Sequence, residues 1–250
     1  MAEETVNHVG LLAWDRVAAR LDAGAAAILP IGAGAKEHGL HLPMNTDQRQ
    51  AEWLAGEIAG HIDALIWPTV TYGHYPVFVD YAGSCSLSAE TFGAMLLEVI
   101  EGLLRFNPSA VLVVDTGIST IRPVAATVAK LDGRPVHHLK VHSGSRYTQV
   151  SQRLSAQAYG SHADELETSR MLSLAPDAVD MARAQSSPRD ARFDFSAGPM
   201  SPNDPASPNY SPSGSFGDPT LATQEKGAAL SSAMLEDVLE MARAAVARGG

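Results

Sequence analysis

Four short apolar runs, Ala25–Pro30, Ala64–Val70, Ala110–Val114 and Pro135–Lys140, alternate with stretches patterned as helices. This alternation narrows the fold more than any other feature of the chain. A near-continuous apolar run of this length reads as a strand buried on both faces. The stretches between carry helix punctuation. One runs from Asp47 to Ala59 and stops at Gly60, and a second runs from Ser88 to Phe106 and stops at Asn107-Pro108. A third starts at Arg122-Pro123, where proline is tolerated in the first turn, and stops at Asp132-Gly133. Strands spaced by helices require right-handed crossovers, so the pattern predicts an α/β fold with a parallel sheet covered on both faces. Sites in such sheets lie beyond the carboxyl ends of the strands. The loops Gly32–Asp47, Tyr72–Ser86 and Asp115–Arg122 are therefore expected to converge on one edge.

A length of 250 residues suits one α/β domain with a large core, and two would be a tight fit. The segment Ser186–Asp218 holds six of the 15 prolines and is followed only by a helix expected over Pro219–Ala247. So long a loop reads as a lid or subunit-contact arm of one domain spanning residues 1–250, not as a linker. The net charge of −10 argues against nucleic acid as a partner, because phosphate binding needs a basic face. Cys85 is the only cysteine, which fits a reducing cytoplasm, and a small buried thiol is its expected role. The N-terminus Met-Ala-Glu-Glu-Thr is acidic where a signal peptide would be basic, and no apolar run approaches the roughly 20 residues of a membrane span.

The chemistry concentrates in two clusters. The first is Leu29-Pro-Ile-Gly-Ala-Gly-Ala-Lys-Glu-His-Gly-Leu-His-Leu-Pro-Met-Asn-Thr-Asp47, a Gly-rich passage from a strand into a helix that holds Glu37, His38, His41 and Asp47. Imidazole and carboxylate are the side chains that bind zinc and similar divalent ions. The plain reading is a turn histidine and an aspartate on a helix dipole. The second is Gly160-Ser-His-Ala-Asp-Glu-Leu-Glu-Thr-Ser169, which brings His162, Glu165 and Glu167 to the start of another helix. That is more acid and imidazole than capping requires, against the plain reading of a solvated acidic turn. A metal site needs ligands from separate segments, so each cluster strengthens the other. His74, in Thr-Tyr-Gly-His-Tyr-Pro, follows a strand and is a further candidate. His137 and His138 read as structural, and His8, His61 and His142 carry no pattern. The glycines give no dinucleotide fingerprint.

Taken together, these segments resemble the creatininase (creatinine amidohydrolase) family. That family carries a block like Pro-x-Gly-Ser-x-Glu-Gln-His-Gly-Pro-His-Leu-Pro with an Asp nine positions after the first His. Here His38 and Asp47 keep the spacing, and Gly39, His41, Leu42 and Pro43 match. His162-Ala-Asp-Glu-Leu-Glu167-Thr-Ser169 is similar to the family's His-Ala-Gly-x-x-Glu-Thr-Ser. Gly217-Asp-Pro-Thr-Leu-Ala-Thr-Gln-Glu-Lys-Gly227 is similar to its Gly-Asp-Pro block, and Tyr72-Gly73 through Leu87 to its Tyr-Gly…Ser-Leu region. The blocks run in family order over nearly the whole chain.

The resemblance implies a three-layer α/β/α domain, often assembled as a hexamer. It also implies a metal-dependent amidohydrolase of the two-metal kind that cleaves a non-peptide or cyclic amide C–N bond of a small molecule through metal-activated water. Zinc or manganese is the implied ion, one or two per chain. Carried over by position, His38 and Asp47 are metal ligands, with Asp47 bridging, Glu167 is a ligand or its catalytic neighbour, and His162 transfers the proton. Two positions differ. Lys36 stands where the family's first Glu ligand falls, with Glu37 beside it as a candidate replacement. Gly117, in Asp115-Thr-Gly-Ile-Ser-Thr120, stands where the family's Asn-Gly-His block supplies a His ligand. His74, His41 and Asp115 are candidate substitutes, His74 first. The rival readings are a hydrolase with one ion and a homologue that has lost its chemistry and serves as a small-molecule binding or assembly protein.

Overall fold

The sheet has four parallel strands in the order β2-β1-β3-β4. They are β1 (Ala26–Ile31), β2 (Ala64–Ile66), β3 (Val111–Asp115) and β4 (Val136–Lys140). The computed structural model describes residues 7–187, 194 and 197–249. Helices α1 (Trp14–Asp22), α2 (Thr46–His61), α3 (Ala89–Leu104), α4 (Ile121–Ala129), α5 (Ser145–Leu154), α6 (Glu165–Leu174) and α7 (Gln224–Gly249) complete the regular structure.

The strand period of two sorts side chains into two cores. Ala26, Ile28, Leu112 and Val114 face one side and pack with Leu54 and Ile58 of α2 and Leu230, Met234 and Val238 of α7. Ala27, Leu29, Ile31, Val111 and Val113 face the other and pack with Phe92, Leu96 and Ile100 of α3 and Val124 of α4. Helices thus cover both faces of the sheet, giving the expected three-layer α/β/α architecture. The chain steps from β1 to β2 on one side, then crosses to β3 on the other. The topological switch point, where α/β sheets open a crevice, therefore lies beyond the ends of β1 and β3.

Several expected boundaries shift for local reasons. β2 stops at Ile66 instead of Val70, because Trp67-Pro68 breaks the ladder, and Val70 returns only as an isolated bridge to Ile31. That early stop makes Pro30 tolerable in a central strand. Its missing N–H faces the side where β2 has already ended, and its carbonyl accepts from Val70 N. The last helix begins at Gln224, after a separate 3-10 turn at Pro219–Leu221. Helices α1 and α5 are additional to the expected elements; each is short, with one fully buried residue, Leu21 and Tyr147 respectively. Cys85 is exposed, which corrects the expectation of a buried thiol. Within the Pro-rich segment, the described residues fold back toward the site. Met200 N donates to the Val77 carbonyl, Tyr81 Oη donates to Ser211 O, and Phe216 bridges His162. Among the described residues no helix is long and apolar enough to cross a membrane.

Candidate metal centre

The chain leaves β1 through Gly32, where a Cβ would lie 2.4 Å from the Asp47 carbonyl oxygen. Only glycine lets the start of α2 pack so close to the strand end. The intervening loop then sets Lys36, Glu37 and His38 beside Asp47, which sits in the first turn of α2. Two further loops lock it in place. Thr116 Oγ1 donates to the Asp47 carbonyl at 2.9 Å. Glu37 N donates to Ser84 Oγ at 3.0 Å, and Cys85 N donates to the Ala35 carbonyl at 3.0 Å. The three loops that follow the strands therefore meet at one edge.

His38 is fully buried, with Nδ1 2.9 Å from the Lys36 carbonyl. A carbonyl only accepts, so in a neutral ring Nδ1 holds the proton and Nε2 offers its lone pair. Nε2 lies 3.2 Å from Asp47 Oδ1. Two acceptors that close are matched by a cation between them, since zinc bonds of about 2.0–2.2 Å place neighbouring donors about 3 Å apart. Asp47 Oδ2 faces the Lys36 ammonium at 2.7 Å. Burial would raise the Asp47 carboxyl, but the Lys36 ammonium, joined by His38 when that ring is protonated, overcomes it and holds the group well below the usual carboxylate range.

Glu167 enters from α6. Asp164 caps that helix, its Oδ1 accepting from Leu166 N at 3.0 Å and Glu167 N at 2.9 Å. Ala163, in the left-handed region at φ 44°, turns its N–H onto Glu167 Oε2 at 2.9 Å. Burial pushes the Glu167 carboxyl up, while His38 and His162, when protonated, together with Lys36 pull it down to about 2. Ligand atoms of His38, His162 and Glu167 all lie within 4.8 Å of one another, the three-donor group found among the described residues. Imidazole and carboxylate donors, largely shielded from water, suit zinc or manganese, and Asp47 Oδ1 beside His38 adds a further carboxylate.

Glu37 lies outside that group. Its Oε2 accepts from His162 Nε2 at 2.9 Å, and its Oε1 accepts from Gly39 N. With Nε2 donating, His162 Nδ1 is bare and lies 3.9 Å from Glu167 Oε2. The expectation of Glu37 as a metal ligand thus gives way to a carboxylate–imidazole pair. His74 is also elsewhere: its Nδ1 bonds the Leu87 carbonyl at 3.0 Å. Of the other candidates, His41 places Nε2 2.7 Å from Thr168 Oγ1, and burial lowers its pKa to about 4. Asp115 is held by Thr120 Oγ1 at 2.6 Å, Gly117 N at 3.1 Å and His138 Nε2 at 3.2 Å.

Sequence reasoning missed the residues that support this group. Arg170 Nε donates to Gln50 Oε1 at 2.8 Å and its guanidinium reaches Tyr147 Oη, bracing the wall beside Glu167. The signal was present: Gln50 stands three residues after Asp47 and Arg170 three after Glu167, on the same helix faces. Phe78 packs on the His162 ring with centroids 4.3 Å apart. Arg170, Tyr147 and Phe78 line a cleft of about 140 Å³ together with Lys36, Asp47, His142, His162 and Glu167.

The profile of the family described as Creatininase, creatinine amidohydrolase, matches residues 11–242. Creatinine amidohydrolase of Pseudomonas putida is 24% identical over 94% of this chain and 95% of its own. Mycofactocin precursor peptide peptidase of Mycobacterium ulcerans (strain Agy99) is 26% identical over 84% of this chain and 81% of its own. The solved structure titled "Creatininase Mn" superposes with a TM-score of 0.79 at 24% identity, over 95% of this chain and 98% of that one.

Proposed function

Because the chain belongs to the creatininase family of amidohydrolases, we propose that its His38–His162–Glu167 group hydrolyses a non-peptide or cyclic amide C–N bond of a small molecule. That group, set at the switch-point crevice with Asp47 against it, is the observation that carries the reading. His38 Nε2, Asp47 and Glu167 would hold a zinc or manganese ion. When bound, the ion supplies Lewis-acid polarisation of the amide carbonyl and lowers the pKa of water.

The rest follows from the chain's own side chains. His162 lines the cleft, with Glu37 accepting from its Nε2 and its bare Nδ1 on the Glu167 side. The imidazole therefore takes the proton of the attacking water at Nδ1, and Glu37 stabilises the resulting cation. His162 then returns that proton to the departing nitrogen. Phe78 shields one face of the ring from water. The cleft, at about 140 Å³, is well below the roughly 300 Å³ of sites for drug-sized ligands, which supports a small substrate over a peptide. The Pro-rich segment at 186–218 acts as a cover for the Glu37–His162 pair and as a contact to a neighbouring subunit in a homo-oligomer, with a hexamer as the expected state. Its described part supports the first role, since Gly214 abuts Glu37.

The test is a panel of lactams, cyclic ureides, formamides and short peptides, offered to protein reconstituted with zinc or manganese and to the same protein held in chelator. Turnover of a small cyclic or formyl amide, lost in chelator, is expected. Turnover that survives chelation, or is confined to peptides, contradicts the proposal. A monomeric mass by light scattering at micromolar concentration removes the subunit-contact role.

A further inference from the structure

We infer that Lys36 is a built-in second cation, so that the centre takes one divalent ion and one ammonium on the two sides of Asp47. The inference rests on the metal site proposed above and goes beyond it.

The two oxygens of Asp47 are divided between two environments. Oδ1 faces His38 Nε2 at 3.2 Å, on the side of the three-donor group. Oδ2 faces Lys36 Nζ at 2.7 Å. Lys36 is not a surface residue that happens to reach inward. Its side chain is only 7% exposed, and its ammonium lies 4.7 Å from the Phe78 ring centroid and 5.8 Å from that of Tyr75, an aromatic floor that favours a cation. An ammonium is a point charge that donates hydrogen bonds and has no lone pair, so the Oδ2 side of Asp47 is closed to a metal while Lys36 stays.

Two further observations agree. Among the described residues only one group of three metal-donor side chains is found, and it lies on the Oδ1 side. Asp115, at the end of β3, already accepts from Thr120, Gly117 N and His138, so it is not left seeking a cation. Charge balance points the same way. Asp47, Glu37, Glu167 and Asp164 outweigh Lys36 and Arg170 by two charges, which a single divalent ion offsets. A second divalent ion would leave a strongly positive, poorly hydrated centre, a costly arrangement. Lys36 thus does part of a second ion's work: it holds the Asp47 carboxylate in place and keeps it ionised, without exchanging or adding a Lewis acid.

The experiment counts ions. Wild-type protein and the Lys36→Glu variant, each shown folded by circular dichroism, are dialysed to equilibrium against excess manganese or zinc and analysed by plasma mass spectrometry. About one ion per wild-type chain and about two per Lys36→Glu chain are expected. Crystals of wild-type protein grown in excess zinc give the same answer without a variant, as one anomalous peak among His38, Asp47 and Glu167. Two ions in the wild type, an anomalous peak on Asp47 Oδ2, or a folded Lys36→Glu that still holds one ion would each overturn the inference while leaving the hydrolase reading intact. No ion in any form would instead remove the metal site itself.

Discussion

Gly214→Ala should weaken the site from outside the ligand group. Gly214 has φ +82°, and an added Cβ would lie 1.9 Å from Glu37 Oε1. Carbon–oxygen contact needs about 3.4 Å, so the carboxylate must retreat by about 1.5 Å. Glu37 is buried, and its Oε2 accepts from His162 Nε2 at 2.9 Å. Moving it leaves a buried imidazole N–H unpaired, which costs about 1.5–3 kcal/mol for a charge-assisted bond. Left-handed backbone at alanine adds about 1 kcal/mol. Gly133→Ala is the control, because Gly133 has φ +76° but nothing within 4 Å of an added Cβ. Urea unfolding of the metal-free proteins should therefore show a loss of about 2.5–4 kcal/mol for Gly214→Ala and about 1 kcal/mol for Gly133→Ala. In a Glu37→Gln background the difference should shrink, since the charge-assisted bond is already gone. If the two glycine variants lose the same stability within about 0.5 kcal/mol, the Pro-rich segment does not press on the Glu37–His162 pair and the reasoning fails.

Three further outcomes follow from the same geometry. Asp164→Ala removes a cap that accepts two backbone N–H groups, so urea unfolding should show a loss of about 1–2 kcal/mol with an unchanged slope. Burial depresses the folded pKa of His41 from 6.5 to about 4, so the unfolded chain binds more protons between those values. The His41 contribution is complete above pH 6.5 and is lost as pH falls toward 4, and the slope of stability against pH over that window should flatten in His41→Gln. His74→Ala should keep the full metal content of the wild type by plasma mass spectrometry, because His74 is engaged with the Leu87 carbonyl and not with the ligand group.

The four apolar runs made the sheet legible, because strands buried on both faces leave an unmistakable pattern. Helices α1 and α5 lay outside the expected elements although each carries an apolar stripe, Trp14, Val17, Ala18 and Leu21 in one and Tyr147, Val150 and Leu154 in the other; both are short and otherwise polar, so the stripe is brief. His38, Asp47, His162 and Glu167 stood out because ligand chemistry concentrates rare side chains at fixed spacing. The partnerships among them did not stand out. Glu37 neighbours His38 in sequence but pairs with His162, 125 positions away, a contact set by how the β1 loop meets the start of α6. The role of Lys36 was hidden for the same reason, since only the fold shows which acid a buried lysine meets. Gly117 looked like a lost ligand. In the fold a side chain there would meet Thr120 Oγ1 at 2.4 Å, so the position is reserved for the Thr120–Asp115 bond.

The central claim is that His38 and Glu167, with Asp47, hold the ion on which hydrolysis depends. The most direct test is the metal content of His38→Ala beside the wild type, after equal loading with zinc or manganese and desalting. His38 contributes a buried Nε2 that its own backbone contact leaves free, so its loss should reduce bound metal at least about tenfold and abolish amide hydrolysis together. Full metal content in folded His38→Ala, or undiminished hydrolysis without it, would contradict the account.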